Sequence, residues 1–471
     1  MISYKVILAI VLSISFLIIA PLVVLYAAGY QITRPDDQLR PEFQVTGGLR
    51  VAPPRRYQAT LNQQVPKTTP FFTTGLKPGT ITLTLHQSGY QSWQKDLPIK
   101  PHRVTMVTAP VLFPDTPQAQ PLDNTSREIS QIFTVPDKDM FLYVDRDPER
   151  AGLWMFFPEE ELHRQIFALP ETQDRSSQYK NILWSQDGQN IFFTISNENI
   201  QISYLASQIL TDSQPSIINL SQEVPSNIEP LAIFGNDLFY QKEETIFKHD
   251  LSNLLSEDSS LLSQANPIAK NISTGVIKHN RLVYHSQADG GLYQYRISSQ
   301  ERERIISSSS VDFLSLSPDN QYLFFTNIRG SFVFNLQEET LHKLPLGSIK
   351  DIQYSSDRAI IQTSSQLASF YLQDIESYLT RSQGSIENIY QNDQMEQIRI
   401  LKGSSEYALF IKDGVLSAIE FDPRDEVQVF PLLEAQDYHQ YYDGRNVRIY
   451  LKNEQSLQQF TFPIREGGVF N

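Results

Sequence analysis

The 471-residue sequence contains no cysteine. Disulfide bonds, thiolate nucleophiles, iron–sulfur clusters and cysteine-based zinc sites are therefore excluded. Basic residues are also scarce, because 39 lysines and arginines stand against 53 aspartates and glutamates, which gives a net charge of −14. Since nucleic-acid binding depends on cationic side chains, this balance predicts no nucleic-acid partner. The length is about three times that of a usual domain and predicts at least two domains.

Recognised catalytic motifs are absent from the sequence as well. It has no His-Glu-x-x-His zinc motif, no Gly-x-Ser-x-Gly nucleophile elbow, no Walker-type phosphate loop and no Gly-x-Gly-x-x-Gly dinucleotide motif. Ser92 and Lys95 have a nucleophile–base spacing, but in a predicted strand they would point to different faces. We therefore predict no enzyme activity, no cofactor, no metal site and no assignable catalytic residue, and the ligand-binding residues stay unknown.

Two groups of polar residues are weaker candidates for sites. Asp145, Asp147 and Glu149 occupy every second position of the chain, as the ligands in a calcium-binding loop can. The glycine that such a loop requires is missing, so we interpret them as a solvated turn. His279 and His285 share one predicted hairpin, and we expect them to be surface or pocket residues.

The longest apolar run lies near the start of the chain. Residues 6–28 carry no charge and are mostly Ile, Leu, Val and Ala, and a helix of that length reaches about 34 Å, enough to cross a bilayer. We predict a single transmembrane helix over 6–28 after a cytoplasmic tail of residues 1–5. A cleaved signal peptide is the alternative, because Ala27, Ala28 and Gly29 could form a cleavage site. The mean hydropathy of −0.31 excludes a protein with many membrane spans.

A strand-rich segment follows a linker of residues 29–44. Ile81, Leu83 and Leu85 alternate with polar residues, and the same pattern returns at Val104 and Met106. Turn sequences rich in glycine and proline separate these runs. We predict a compact antiparallel β-sandwich over 45–113, followed by a second linker over 114–126.

The segment 45–113 resembles a PEGA domain, a small β-rich module of bacterial and archaeal envelope proteins. The resemblance lies in Thr69-Pro70, in Gly-Leu-Lys-Pro-Gly over 75–79, in Gly89-Tyr90 and in Trp93. The name-giving Pro-x-Gly-Ala stretch is replaced by Pro-Pro-Arg-Arg-Tyr over 53–57. We predict that Tyr90 and Trp93 fill the core rather than stack on a ligand.

The orientation of the predicted span depends on this resemblance. Lys5 precedes the span, while Arg34 and Arg40 follow it, so the distribution of basic residues is close to a tie. Because PEGA-like domains commonly follow a membrane anchor and face the cell exterior, the resemblance implies that the N terminus is inside and the rest of the chain is extracytoplasmic.

A polar turn followed by an aromatic-rich strand recurs through residues 127–471. Clear copies read WSQDGQNIFFT from Trp184, LSPDNQYLFFT from Leu316 and YSSDRAIIQT from Tyr354. The central polar residues of eight copies lie 38 to 50 residues apart, namely Asp137, Asp187, Asn236, Asn280, Asp319, Asp357, Ser405 and Asp443. This spacing is that of a four-stranded propeller blade.

The repeat region resembles a WD40-like or TolB-like β-propeller, in which Ser-Pro-Asp-Gly precedes an aromatic strand. We predict eight blades, with seven as the close alternative and a pair of β-sandwiches as the competing fold. Residues 251–265 and 367–379 are predicted insertions, the second of which could form a short helix.

These features predict an all-β protein with a transmembrane helix, a PEGA-like sandwich and a propeller. The expected function is that of a single-pass, extracytoplasmic binding or scaffold protein of a prokaryotic cell envelope, anchored in the membrane by its N-terminal helix. Loops on one face of a rigid propeller would bind a protein, peptide or glycan. A hydrolase or lyase with carboxylates in the propeller channel is the alternative, and an intracellular-facing sensor would follow if the orientation were reversed.

Overall fold

The fold was determined as a computed structural model. It describes residues 4–27, 30–33, 42–122, 127–135, 138–170, 173–185, 187–197, 201–210, 214–220, 224, 228–251, 265–278, 280–376, 380–391, 394–453 and 456–465.

The N-terminal apolar run forms a helix. Helix α1 covers Tyr4–Ala27 and contains Pro21. Strands β1 (Tyr30–Thr33) and β2 (Glu42–Val45) follow as an antiparallel pair. Among the residues whose side chains are described, no helix is identified that could span a membrane. The transmembrane segment over 6–28 therefore stays a prediction.

Residues 47–107 form two small sheets that face each other. Their strands are β3 (Gly47–Val51), β4 (Gln58–Leu61), β5 (Lys67–Thr68), β6 (Phe71–Leu76), β7 (Gly79–His86), β8 (Trp93–Ile99) and β9 (Val104–Val107). One sheet has the order β6-β3-β9 and the other β5-β4-β7-β8. The apolar row predicted at Ile81, Leu83 and Leu85 is buried, as is Trp93. The row predicted at Val104 and Met106 is not, because Val104 is exposed and Met106 is half-buried. Tyr90 is half-buried. The arrangement is not wholly antiparallel as predicted, because β9 pairs with β3 in parallel.

Eight four-stranded antiparallel sheets make up the rest of the described chain. Blade 1 contains β11 (Ile129–Thr134), β12 (Phe141–Asp145), β13 (Gly152–Phe157) and β14 (Leu162–Ala168). Blade 2 contains β15 (Gln178–Trp184), β16 (Asn190–Ser196), β17 (Gln201–Ser207) and β18 (Ser216–Asn219). Blade 3 contains β19 (Glu229–Phe234), β20 (Asp237–Lys242), β21 (Thr245–Asp250) and β22 (Asn266–Lys270). Blade 4 contains β23 (Ile272–Lys278), β24 (Arg281–Ser286), β25 (Gly291–Arg296) and β26 (Glu301–Ser307). Blade 5 contains β27 (Phe313–Leu316), β28 (Tyr322–Asn327), β29 (Gly330–Asn335) and β30 (Thr340–Lys343).

The last three blades follow the same plan. Blade 6 contains β31 (Ile349–Tyr354), β32 (Arg358–Thr363), β33 (Gln366–Tyr371) and β36 (Ile386–Gln391), with a small hairpin, β34 (Ile375–Glu376) and β35 (Thr380–Arg381), inserted before β36. Blade 7 contains β37 (Glu396–Ile400), β38 (Tyr407–Lys412), β39 (Val415–Glu420) and β40 (Val429–Glu434). Blade 8 contains β41 (Asp437–Tyr442), β42 (Asn446–Asn453), β43 (Ser456–Pro463) and β10 (Gln120–Pro121).

The ring of blades closes on itself. Strand β10 precedes the repeat region and pairs with β43, so that Gln120 lies opposite Gln459. The first strands of blades 8 and 1, β41 and β11, lie side by side. A propeller of eight blades is therefore the observed architecture, and the alternative of two β-sandwiches was wrong. The stretch predicted as a linker, 114–126, contains β10.

The predicted turn residues lie between the first and second strands of successive blades. Asp319 accepts hydrogen bonds from the Ser317 hydroxyl at 2.5 Å and from the Gln321 amide at 3.0 Å. Asp187 makes the same pair of contacts in blade 2. Asp137 lies outside the described residues. An acidic side chain that caps backbone amides explains the motif in these blades and at Asp443, whereas blades 3, 4 and 7 carry Asn236, Asn280 and Ser405 at this position.

The predicted insertion over 367–379 was only partly right. It begins within strand β33 and continues into the β34–β35 hairpin, and its described residues form no helix. Leu367 and Phe370 are buried in the blade cores, and that burial favours a strand over an exposed helix. Most of the other insertion, 251–265, lies outside the described residues.

The small sheets are packed firmly against the propeller. The Phe113 ring packs at an angle against the rings of Tyr407, Phe430 and Phe462, at centroid distances of 5.6, 5.2 and 5.3 Å. One continuous hydrophobic core therefore joins these sheets to blades 7 and 8.

Candidate functional site

The propeller has a cavity where the first strands of blades 1, 6, 7 and 8 end. Its volume is about 520 Å³, which suits a small ligand or the side chains of a partner. It lies on the face that carries the predicted turns. The lining residues are Thr134, Gln353, Tyr354, Ser355, Arg399, Ile400, Leu401, Lys402, Gly403, Ser404, Ser405, His439, Gln440 and Arg465. We call this cavity the channel-mouth pocket.

Three cationic side chains line the channel-mouth pocket. The Arg399 guanidinium lies 4.9 Å from the Tyr438 ring centre and donates to the Tyr438 carbonyl. The Lys402 ammonium lies 2.6 Å from a carboxylate oxygen of Asp139. Arg465 is exposed. The described lining contains no aspartate or glutamate, but Lys402 and Arg399 have carboxylate partners just outside it, since Asp437 lies 3.7 Å from the Arg399 guanidinium.

His439 is an unusual member of this lining. Its side chain is 1% exposed and packs against the Phe141 ring at 4.9 Å. Neither ring nitrogen has a hydrogen-bond partner among the described residues. Burial, reinforced by the positive charges of Lys402 and Arg399, holds the pKa of His439 well below its usual value. The imidazole is therefore neutral at physiological pH and adds no charge of its own.

Hydrogen bonds between blades fix the floor of the pocket. The Gln440 amide donates to the Ile400 carbonyl at 2.6 Å, and its oxygen accepts from the Lys402 backbone amide at 2.9 Å. These two bonds join blade 8 to blade 7. On the opposite side the Tyr354 hydroxyl lies 2.8 Å from the Ser315 hydroxyl of blade 5. Of the three cations, only Arg399 lies in a strand, β37, while Lys402 follows β37 in the turn and Arg465 follows β43.

This arrangement favours binding of an anionic group. Arginine and lysine suit carboxylates, phosphates and acidic side chains. Glycoside hydrolysis usually needs a pair of carboxyl groups, and the described lining of this pocket contains none. The pocket therefore does not contain the chemistry on which the predicted hydrolase alternative depends.

The Ser92–Lys95 spacing does not form a catalytic pair. Ser92 is exposed and lies near His86, while Lys95 is buried on the inner face of β8. The Lys95 ammonium lies 2.7 Å from a carboxylate oxygen of Glu420 in blade 7. Lys95 therefore belongs to the contact between the small sheets and the propeller.

The other two candidates also have structural surroundings. His285, for which a surface or pocket position was predicted, is buried, and it lies 2.7 Å from the Ser273 hydroxyl and 2.8 Å from the Ser308 carbonyl. His279 lies outside the described residues. Asp145 is buried as well, 3.5 Å from Arg127, and burial raises its pKa. Asp147 accepts from the Glu149 amide, as an ordinary turn does.

No known protein family profile matches the sequence, and no curated protein is similar to it. The PEGA resemblance thus gains no support from these comparisons. Among solved structures, Hsv2 from Kluyveromyces lactis has a TM-score of 0.43 and 9% identity, covering 64% of this chain and 98% of that one. A chain of the yeast Nup82–Nup159–Nup116 nucleoporin complex has a TM-score of 0.40 and 12% identity, covering 63% and 99%. A chain from a study of two prolyl endopeptidases has a TM-score of 0.42 and 9% identity, and the match covers 70% of this chain and 55% of that one. Identities this low say nothing about function.

Sequence reasoning missed the channel-mouth pocket. Thr134, Tyr354, Arg399 and His439 come from four strands that are far apart in the chain. Each of them lies a few residues before a repeated turn, so alignment of the eight copies on their turns could have grouped them. Nothing in a single copy marks its residue as part of a pocket.

Proposed function

We propose that this protein is a membrane-anchored, extracytoplasmic binding protein whose propeller holds an anionic group of a protein, peptide or glycan partner in the channel-mouth pocket. The observation that carries the proposal is a cavity whose described lining includes Arg399, Lys402 and Arg465 and no carboxylate. A partner with clustered acidic groups would gain charge-assisted hydrogen bonds there. The rest of the acidic surface would repel unsuitable anions and so favour specificity.

Anchoring is the second part of the proposal. Helix α1 carries strongly exposed apolar side chains, with Phe16 at 70% and Leu17 at 69%. Exposure of this much apolar surface to water is energetically unfavourable, whereas its burial in lipid is favourable. The small sheets that follow α1 would act as a PEGA-like spacer, and the N-terminus-inside orientation would place the propeller outside the cell.

Binding of a labelled acidic peptide tests the pocket. We expect a fluorescein-labelled hexaglutamate peptide to bind the full chain in detergent, and a hexaglutamine peptide not to bind, in fluorescence anisotropy at low salt. The double variant Lys402→Gln/Arg465→Gln should weaken binding about tenfold or more, since each charge-assisted hydrogen bond contributes about 1.5–3 kcal/mol.

The control is Arg329→Gln/Lys343→Gln, which removes two exposed cations from blade 5. It has the same change in net charge and should bind the peptide as the unmodified chain does. Equal weakening by both double variants would show that net charge, and not the pocket, governs binding, and the proposal would be rejected.

A further inference from the structure

The small sheets carry a charge opposite to that of the whole protein. Residues 45–113 contain eight lysines and arginines and a single acidic residue, Asp96. This gives +7 for the segment, so the rest of the chain carries −21 within the total of −14. Most of these cations are exposed, including Arg50, Lys67, Lys100 and Arg103.

The outer face of the β6-β3-β9 sheet adds exposed apolar groups to this positive charge. Phe72 and Val104 are 57% and 48% exposed. Both side chains lean over Gly48, since a Cβ there would lie 3.3 Å from the Phe72 ring and 3.3 Å from a Val104 methyl group. Arg50 lies directly opposite Phe72 in the strand register and shares its face. We call this surface the basic apolar face.

The basic apolar face lies close to the end of helix α1. The His102 ring, two residues before Val104, packs against the Tyr30 ring at 5.2 Å. Helix α1 ends at Ala27, so at most about 11 Å of chain joins it to Tyr30. A membrane that holds α1 would therefore lie next to Lys100, Arg103 and Val104.

We infer that the basic apolar face docks on the surface of the anionic lipid bilayer in which α1 is anchored. Cations near an anionic membrane are attracted to it, and apolar side chains such as Phe72 and Val104 can enter the boundary between headgroups and acyl chains. The acidic propeller is repelled by the same surface, so the charge asymmetry holds the channel-mouth pocket away from the lipid. This inference rests on the anchoring proposed above.

The absence of cysteine makes a direct test possible, because one introduced cysteine is the only thiol to label. The full chain carrying Thr74→Cys, labelled with an NBD fluorophore, is placed in nanodiscs of phosphatidylcholine alone or mixed with phosphatidylglycerol. Thr74 lies on the basic apolar face beside Gly48 and is exposed, so Phe72 and Val104 stay intact. We expect quenching by doxyl-labelled lipid, about twofold or more stronger in the anionic discs.

Two further labels and one pair of variants separate the possible failures. A label at Leu17→Cys in α1 reports insertion, and a label at Ile328→Cys, on the 79% exposed Ile328 of blade 5, should show no lipid quenching. Lys100→Gln/Arg103→Gln should abolish the extra quenching at Thr74 in anionic discs, whereas Arg329→Gln/Lys343→Gln should preserve it.

The lipid quenching measured at Leu17, Thr74 and Ile328 distinguishes failure of the anchor from failure of the docking face. Quenching at Leu17 without quenching at Thr74 overturns the docking of the basic apolar face and leaves the anchor intact. No quenching at Leu17 overturns the anchor itself. Equal quenching at Thr74 and Ile328 would show that the lipid contact is not specific to this face and would overturn the inference.

Discussion

The buried ion pair between Lys95 and Glu420 gives the most specific prediction about stability. The ammonium and carboxylate groups are 2.7 Å apart, with side chains 0% and 2% exposed. Glu420 also accepts a hydrogen bond from the Trp93 indole at 2.8 Å, and Lys95 donates to the Asp422 carbonyl at 2.6 Å. The pair therefore fixes the small sheets to blade 7, next to the Arg424–Asp422 ion pair.

Glu420→Gln keeps the shape of the side chain but leaves the Lys95 ammonium buried without a counterion. Removing one partner of a buried ion pair costs about 3–5 kcal/mol. We expect a loss near the lower end, about 3 kcal/mol, because backbone carbonyls still accept from Lys95. Lys95→Met/Glu420→Gln should recover most of that loss, since no charge remains buried.

Urea unfolding followed by tryptophan fluorescence measures this difference. The control is Glu301→Gln, which breaks an exposed ion pair with Arg296 at 3.2 Å and should cost less than about 1 kcal/mol. A loss for Glu420→Gln as small as that of Glu301→Gln would refute the reasoning, as would a double variant no more stable than the single one.

Two further predictions concern the titration of His439 and the orientation in the membrane. The pKa of folded His439 lies well below 6.5, so the unfolded state binds more protons than the folded state as the pH falls. The free energy of unfolding should therefore drop between pH 7.5 and 5.5 by about 1.4 kcal/mol more than in His439→Phe. An equal drop in the two proteins, measured by urea unfolding, would contradict a buried neutral imidazole. If the propeller faces outward, a membrane-impermeant maleimide should label Ile328→Cys on intact cells, and labelling only after lysis would reverse the orientation.

The repeated turns explain why the propeller could be predicted from the sequence. Their chemistry is local, because Asp319 caps amides within two residues of itself, and each copy yields one hairpin of one blade. The number of copies therefore predicted the number of blades. The apolar alternation of β7 in the small sheets is local in the same way. Alternate side chains of a strand point to the same face, and the face that carries the apolar ones is buried.

Long-range contacts explain what the sequence could not predict. Strand β10 is only two residues long, and it pairs with β43 because the ring brings the two together. Lys95 meets Glu420 across more than three hundred residues, and a lysine within an apolar row usually indicates a solvent-exposed position. The channel-mouth pocket likewise depends on the closure of the ring, which places Arg399 and His439 beside Thr134.

The central claim is that the channel-mouth pocket receives the partner, and in-cell photo-crosslinking at Ser405 tests it most directly. Ser405 is exposed in the lining of the pocket, and Ser299, exposed on blade 4, is the matched control. We predict a discrete crosslinked species from a photoreactive residue at Ser405, absent from Ser299 and lost in Lys402→Gln/Arg465→Gln. The same species at both positions, or its persistence in the double variant, would contradict the claim.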